Sequence, residues 1–571
     1  MQFQELYNTW LNNATEDKDL INELIGIEND ESEIADRFYK ELEFGTGGLR
    51  GVIGAGTNRM NIYNIAKATQ GFSQYILANY NNPTVAIAYD SRIKSDLFAK
   101  KAASVFAANG IKVYIYKELM PTPMLSFAVR YLKCSAGVVV TASHNPSKYN
   151  GYKAYGPDGC QLDLDASEAV LEIINSLDVF NDVKSGDFDS LINSGMIEYI
   201  SDEVIDNYIA SVKAQSIDAS ICKNSDFKVV YTPLHGAGNK PVRRILKELG
   251  INNVVVVPEQ ELPNGNFPTA PYPNPEIREA FNCALKLAET ENPDILLATD
   301  PDSDRVGIAV KHNGEYTLMT GNQVGVMLLE YMLSRKLELG TLPKNPVAIK
   351  TIVTTNMVEK IANKYNCYLY NVLTGFKFIG GVIAELEEKG EEDRCILGFE
   401  ESYGYLSGSY VRDKDAVVAS MLICEMACYL KSKGLSLIDY MNSLYEEYGY
   451  YSNMQFSFVC EGASGSERMN EIMTDLRNNT PKSLSNSKVV NSNDYLSSKS
   501  YNVLSGEITD IDLPKSNVLT FNLDNASSVA IRPSGTEPKI KVYIESVGKT
   551  SDEASRLSEE LKKDISRIMG F

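Results

Sequence analysis

Between residues 84 and 397 the chain runs three times through one pattern, and that repetition leaves few folds open to it. In the first copy, strand-forming runs at Thr84–Tyr89, Lys112–Tyr116 and Gly137–Val140 are separated by helical stretches. The second copy has Lys228–Tyr231, Asn253–Val257 and Asp294–Ala298, and the third has Val347–Ile352, Cys367–Asn371 and Cys395–Leu397. Short strands alternating with helices form mixed or parallel sheets covered by helices. The period is too long for a solenoid, so the copies read as successive α/β domains. Beyond residue 451 the order changes: a Ser/Asn-rich stretch near 480–498 precedes Val518–Leu523, Val529–Arg532 and Lys539–Ile544, which lead into a helix over Asp552–Ile568. Strands adjacent in sequence pair antiparallel, which predicts an α+β domain. The expected architecture is therefore α/β in four domains, three consecutive α/β domains with mixed sheets plus a C-terminal α+β domain with an antiparallel sheet, around a central cleft. Their expected boundaries are 1–211, 212–316, 317–448 and 449–571. Residues 1–40 read as acidic amphipathic helices, with Trp10, Leu11, Leu20, Ile21, Leu24 and Ile25 at helical spacing.

In each copy the third strand runs into a polar loop, and the crevice outside the carboxyl ends of such strands is where α/β sheets bind ligands. The first loop, Thr-Ala-Ser143-His144-Asn-Pro, delivers a hydroxyl and an imidazole. Taken alone, it is better explained by Ser143 or Asn145 capping a turn before Pro146. The second, Thr-Asp300-Pro-Asp302-Ser-Asp304-Arg305, has three carboxylates at alternate positions, which repel one another without a cation and suit a hard divalent ion. An EF-hand is excluded, because Arg305 stands in place of the invariant glycine and Lys311 in place of the bidentate glutamate. Mg²⁺ is favoured over Ca²⁺ if phosphate completes the shell. The third loop, Gly398-Phe-Glu400-Glu401-Ser402-Tyr-Gly404, offers hydrogen-bonding groups for sugar hydroxyls, although one exposed glutamate on a turn explains it equally well in isolation.

Two further stretches suit phosphate. Arg532-Pro-Ser534-Gly535-Thr536-Glu-Pro-Lys539-Ile-Lys541 packs hydroxyls, glycine amides and cations into one cradle. Phe44-Gly-Thr-Gly-Gly-Leu-Arg50-Gly51 reads as a glycine-dense loop whose amides approach an anion closely beside the Arg50 fork. It is not a dinucleotide fingerprint, since Arg50 occupies the place of the third glycine. A flexible hinge with a solvated arginine explains it as well. Lys377 and Lys414 are long cations in loops, where most lysines are merely solvated.

The net charge of −20 argues against a nucleic-acid partner. It leaves room for a small anion, because screening confines distant charge to about 8 Å at physiological salt. No apolar run approaches the roughly 18 residues that span a bilayer. The N-terminal stretch has no basic segment followed by an apolar core, which reads as no secretory signal and a cytoplasmic protein. Nine cysteines without CxxC spacing read as reduced, packed thiols, with Cys424 and Cys428 one helical turn apart in an apolar segment. Three histidines argue against a His-rich zinc site.

A serine that can carry phosphate, a metal site, a polyol-binding loop and a separate phosphate cradle together describe phosphoryl transfer within a phosphorylated sugar. With these motifs in this order, the sequence resembles the α-D-phosphohexomutase superfamily over residues 40–550. Within it, the chain is similar to the long-form phosphoglucomutase/phosphomannomutase type, which includes phosphopentomutase relatives. The resemblance implies that Ser143 is phosphorylated in the resting enzyme and that Asp300, Asp302 and Asp304 bind one Mg²⁺ together with that phosphate. It implies that Glu400 and Ser402 contact ring hydroxyls and that Arg532, Ser534, Gly535 and Thr536 hold the non-reacting phosphate. Arg305, and Lys153 in Asn150-Gly-Tyr-Lys153, match family active-site positions. His144, Lys377 and Lys414 are candidates for proton transfer and hydroxyl orientation, with Arg50 as a further cation, and the sequence does not rank them.

The implied substrate is a small phosphosugar, interconverted between 1- and 6-phosphate through glucose 1,6-bisphosphate, which also serves as activator. Many dual-specificity members carry Gly-Glu-x-Ser-Gly-His in the sugar loop, whereas here Tyr403 and Gly404 follow Ser402. That is nearer the glucose-type pattern, and mannose or pentose phosphate stays open. A metal-dependent phosphatase is disfavoured by the second cradle at Arg532, and a non-catalytic sugar-phosphate-binding protein by the intact set of motifs.

Overall fold

The computed structural model describes residues 2–45, 47–223, 225–460, 465–534 and 539–571, and these form four main sheets. In the first, Thr84–Tyr89 lies between Ala136–Val140 and Lys112–Ile115, all parallel. In the second, Lys228–Thr232 lies between Ile295–Thr299 and Asn253–Val256. In the third, Val347–Thr351 lies between Cys395–Glu400 and Tyr368–Val372. The three copies thus share one strand order, third-first-second, and their third strands are buried along their whole length. Valine, isoleucine and leucine dominate those strands because a parallel sheet covered on both faces has no solvated side.

Each copy also has an antiparallel strand that the sequence pattern did not reveal. Tyr149–Tyr155, Val306–His312 and Gly404–Leu406 pair with the third strands of their respective domains. The polar loop of every copy is therefore the connection between a buried parallel strand and its antiparallel neighbour, at the same corner of each domain. In the third domain the strand continues through Phe399 to Glu400, so Glu400 ends a strand rather than standing in a loop.

The glycine-dense stretch also differs from expectation. Gly48–Val52 is an edge strand paired antiparallel with Tyr149–Tyr155, which places Arg50 on a strand. Here the glycine is a steric requirement, since a Cβ at Gly48 would lie 2.1 Å from the Tyr152 carbonyl oxygen. At the N-terminus, helices Gln2–Asn13, Lys18–Gly26 and Glu31–Phe38 bury Trp10, Leu20 and Leu24. Ile25 is exposed, so the apolar face is narrower than its spacing predicts.

The C-terminal sheet is antiparallel in every pairing, running Tyr450–Val459, Lys539–Gly548, Ser528–Pro533, Leu519–Leu523, Ser487–Asp494, Lys499–Asn502 and Ile508–Asp510. The Ser/Asn-rich stretch thus supplies an internal strand. Nine cysteines are free, eight of them buried, and Cys424 and Cys428 lie inside the buried helix Ala416–Ser432. Among the described residues no helix is long and apolar enough to cross a membrane.

Backbone bonds between domains fix where the loops meet. The Asp302 carbonyl accepts from Thr122 N–H of the first domain at 2.9 Å, and the Ser303 carbonyl accepts from Ala416 N–H of the third at 3.2 Å. Val306 N–H, just after the acidic loop, donates to the Tyr403 carbonyl at 3.2 Å. The acidic loop is clasped from both sides.

Candidate active site

Ser143 sits at the end of its strand in left-handed backbone, φ 52°, and is buried. Such a conformation is uncommon for a residue with a side chain and persists where the surroundings hold it. The holder is Arg92, whose side chain is fully buried and donates to the carbonyls of Ser143, Asn145, Pro146 and Tyr149. Asp90 lies 3.4 Å from Arg92 Nε and accepts hydrogen bonds from the Thr141 and Ser95 hydroxyls at 2.7 and 2.8 Å. Thr141 Oγ1 in turn accepts from Ser143 N–H at 2.8 Å. The Ser143 hydroxyl, so placed, donates to Asp300 Oδ2 at 2.7 Å across the domain boundary, and His144 Nδ1 lies 3.2 Å from it. Burial, then the Arg305 and Arg50 charges, pushes the His144 imidazole well below its ordinary range.

One carboxylate oxygen from each of Asp300, Asp302 and Asp304 lies within 4.8 Å of the others, and all three residues are buried. The loop is wound tightly, with Asp304 N–H and Arg305 N–H both donating to Asp300 Oδ1 at 3.1 and 3.0 Å. Cations surround it. Lys153 Nζ is 3.0 Å from Asp302 Oδ2 and 3.4 Å from Asp304 Oδ2, and Lys414 Nζ is 3.0 Å from Asp304 Oδ2. Burial and the neighbouring Asp302 and Asp304 charges push Asp300 well above the usual carboxylate range. Burial, the largest single effect, works the same way on Asp302, but the Lys153 charge, hydrogen bonding from Asp300 and Lys153, and the Lys414 charge together hold that carboxyl low. Asp302 Oδ1 and Asp304 Oδ1 are buried with no hydrogen-bond partner among the described residues. Two orphaned anionic oxygens beside a third acid fit a hard divalent cation, because each would otherwise stand desolvated and unpaired.

Glu400 is buried, and that burial raises its carboxyl against the opposing pull of Lys414 and Arg305. Ser402, half-buried, stands two residues on and pulls the Glu400 carboxyl slightly back down. From the fourth domain, Arg532 lies on strand Ser528–Pro533, and the charges of Arg532, Glu401 and Glu400 all reach Tyr543 on the adjacent strand, after the larger effect of its burial. Ser534 N–H donates to the Lys539 carbonyl at 2.8 Å. Gly535 and Thr536 lie outside the described residues.

The structure therefore brings Ser143, His144, Lys153, Arg305, Lys414, Glu400 and the three aspartates together, with the Arg50 charge reaching His144. Lys414 is buried rather than solvated. Lys377 is not bonded to this cluster: it lines a cavity of about 1120 Å³ shared by the first, third and fourth domains, and its Nζ is buried without a hydrogen-bond partner among the described residues. Sequence reading missed Asp90, Arg92 and Thr122. The polar Asp90-Ser-Arg92 turn directly after strand Thr84–Tyr89 was a usable signal, since it follows a strand as the three loops do. Thr122 donates to Asp302 Oδ2 at 2.9 Å from the start of a helix, a contact no local pattern announces.

Comparison with known proteins agrees with this geometry. The chain matches the descriptions "Phosphoglucomutase/phosphomannomutase, alpha/beta/alpha domain I" over residues 41–179, domain II over 206–314, domain III over 320–448, and the C-terminal domain over 484–563. It is 37% identical to a phosphoglucomutase of Staphylococcus saprophyticus over 94% of this chain and 95% of that protein. It is 40% identical to a phosphoglucomutase of Staphylococcus aureus over 89% of this chain and 90% of that protein. In fold it is similar to a putative phosphomannomutase from Thermus thermophilus, with TM-score 0.68 at 20% identity over 93% of this chain and all of that one. It is also similar to parafusin from Paramecium in an open form, with TM-score 0.69 at 16% identity over 93% of this chain and 97% of that one. With all four domains matched in order and relatives aligned along nearly their whole length, the chain belongs to the phosphoglucomutase/phosphomannomutase family.

Proposed function

We propose that the protein interconverts α-D-glucose 1-phosphate and glucose 6-phosphate through phosphorylated Ser143 and glucose 1,6-bisphosphate. The observation that carries this reading is the Ser143 hydroxyl, 2.7 Å from Asp300 in a triad with two orphaned carboxylate oxygens. The full-length relatives named phosphoglucomutase support the choice of glucose.

In the first half of the cycle the bond from phosphorus to Ser143 Oγ breaks as a sugar hydroxyl oxygen forms its own bond to phosphorus. The second half runs the transfer in the opposite direction on the other phosphate: Ser143 Oγ bonds to that phosphorus as its bond to the sugar oxygen breaks, which restores phosphoserine. In each half the proton given up by the attacking hydroxyl ends on the oxygen that leaves phosphorus, and His144, neutral and 3.2 Å from Oγ, accepts that proton and passes it on. Lys153 and Lys414, each bonded to the triad and held protonated by it, neutralise charge instead of moving protons. Asp300, Asp302 and Asp304 would hold Mg²⁺ with the phosphate on Ser143, and the bound ion supplies charge stabilisation for the phosphoryl oxygens. Each unit-charge pair at ~4 Å is worth about 4 kcal/mol at an effective dielectric of 20, so these few cations outweigh the distant net charge. Glu400 and Ser402 hold ring hydroxyls, and Arg532 and Ser534, with Gly535 and Thr536, hold the phosphate that is not reacting.

A coupled assay with Mg²⁺ and a trace of glucose 1,6-bisphosphate, comparing glucose 1-phosphate with mannose 1-phosphate, tests the reading. We expect a strong glucose preference and complete loss of turnover in Ser143→Ala. Turnover retained by that variant would sink the mechanism, and comparable rates on both sugars would reassign the substrate.

A further inference from the structure

Arg305 follows directly after the three acids, with Nε 3.8 Å from Asp304 Oδ1. In a water-poor pocket a guanidinium settles on the nearest carboxylate that can desolvate with it. Settling on Asp304 would occupy an oxygen that a metal ion needs and would withdraw the cation from the phosphoryl group.

A different carboxylate is better placed. Glu276 Oε1 accepts from Arg305 Nη1 at 2.6 Å, much closer than Asp304. Glu276 belongs to none of the sequence motifs, and its position is tightly determined. Asn274 Oδ1 accepts Glu276 N–H at 3.0 Å, and the Asn274 carbonyl accepts Ile277 N–H at 3.2 Å. The Pro275 carbonyl rests so closely on strand Val306–His312 that a Cβ at Gly307 would lie 2.3 Å from its oxygen. The strand that begins beside Arg305 therefore also seats the turn carrying its partner. The Glu276 side chain is about a quarter exposed, and its charge, after burial, helps raise Tyr403 on the third domain.

We propose that Glu276 is a positioning residue, which draws the Arg305 guanidinium off the acidic loop and holds it toward the transferring phosphoryl group. The inference rests on the phosphoserine reading.

A double-mutant cycle on the full-length, Mg²⁺-loaded protein in the coupled assay tests it. Glu276→Gln is expected to lower kcat by roughly tenfold to a hundredfold, below the ~10²–10³ cost of deleting a charge-stabilising donor outright, while KM shifts by less than about threefold. Glu276→Asp, which keeps the charge on a shorter arm, is expected to recover part of the loss. On an Arg305→Ala background, Glu276→Gln is expected to cost nothing more, because both changes remove one interaction. Gly307→Ala should reproduce the Glu276→Gln effect by displacing the turn. If Glu276→Gln fails to fold, Glu276→Asp and Gly307→Ala carry the same cycle. An unchanged kcat in the variant, or a full multiplicative loss in the double variant, overturns the proposal while wild-type turnover leaves the phosphoserine reading standing. A wild-type protein with no mutase turnover overturns both.

Discussion

Glu401 stands beside Glu400 and accepts hydrogen bonds from the Thr351 and Thr354 hydroxyls at 3.2 and 3.3 Å. Burial, then the Glu400 charge, pushes its carboxyl up to about 7 from an ordinary value of 4.5. Between those two values the folded protein holds a proton that the unfolded chain has released, so stability falls as pH rises through that window. Glu401→Gln removes the ionisation and keeps an acceptor for the threonines. Its melting temperature should match wild type near pH 5 and exceed it near pH 8, and a difference that ignores pH would contradict this. At this scale the sequence was legible wherever chemistry lies in the residue type itself. The alternate aspartates announce a place for a cation before any fold is known, whereas the Ser143 loop alone reads better as a turn cap and gains meaning only beside the other loops. Arg92, Glu276 and Lys414 announce nothing, because an arginine, glutamate or lysine acquires its role from partners distant in the chain. Lys414, for example, bridges Asp304 and its neighbour Asp413, and only burial distinguishes it from a solvated lysine.

The elements act as rigid mounts for these side chains, and glycine marks where two mounts touch. Helix Gly321–Glu338 crosses strand Cys395–Glu400 at Gly325, where an added methyl would lie 2.0 Å from the Phe399 ring. Phe399 immediately precedes Glu400, so any shift there is delivered to the loop proposed to hold the sugar. Gly325→Ala is expected to cost about 1–3 kcal/mol of stability from overpacking and to raise KM for the sugar phosphate, read by thermal melting and steady-state kinetics. Full stability with native KM would show that the helix yields instead. The repeated strands were legible because runs of Val, Ile and Leu bounded by turn residues declare buried strands. The antiparallel partners were not. Tyr149–Tyr155 mixes polar and aromatic residues, and it pairs because the strand beside it has an open edge, a property of the sheet rather than of the segment.

At the scale of the whole molecule, the fourth domain is tied to the third through buried Glu545, whose two carboxylate oxygens each lie 3.0 Å from Asn356 N–H. Asn453 Nδ2 donates to the same group at 2.9 Å, and Lys350 Nζ donates to Asn356 Oδ1 at 2.8 Å. Glu545→Ala removes the shared acceptor of the part-buried Asn356 N–H and Asn453 Nδ2, a cost of about 1 kcal/mol. We expect faster hydrogen exchange at the Asn356 amide and a KM raised more than kcat is lowered, since the Arg532 cradle is carried on the same sheet. Unchanged exchange and KM would count against this anchoring. What the sequence determined by itself was the class of each domain and the chemical kind of each loop. Both follow from local matters: the period of the apolar residues, the turn residues that end a strand, and the donors and charges a short loop contains. Only the tertiary structure decided that the Ser143 hydroxyl meets Asp300, that Lys153 and Lys414 converge on the aspartates, and that Lys377 lines a cavity shared by three domains. Those outcomes depend on how whole sheets dock, through contacts such as Thr122 on Asp302, and pairing between residues far apart in the chain leaves no local trace.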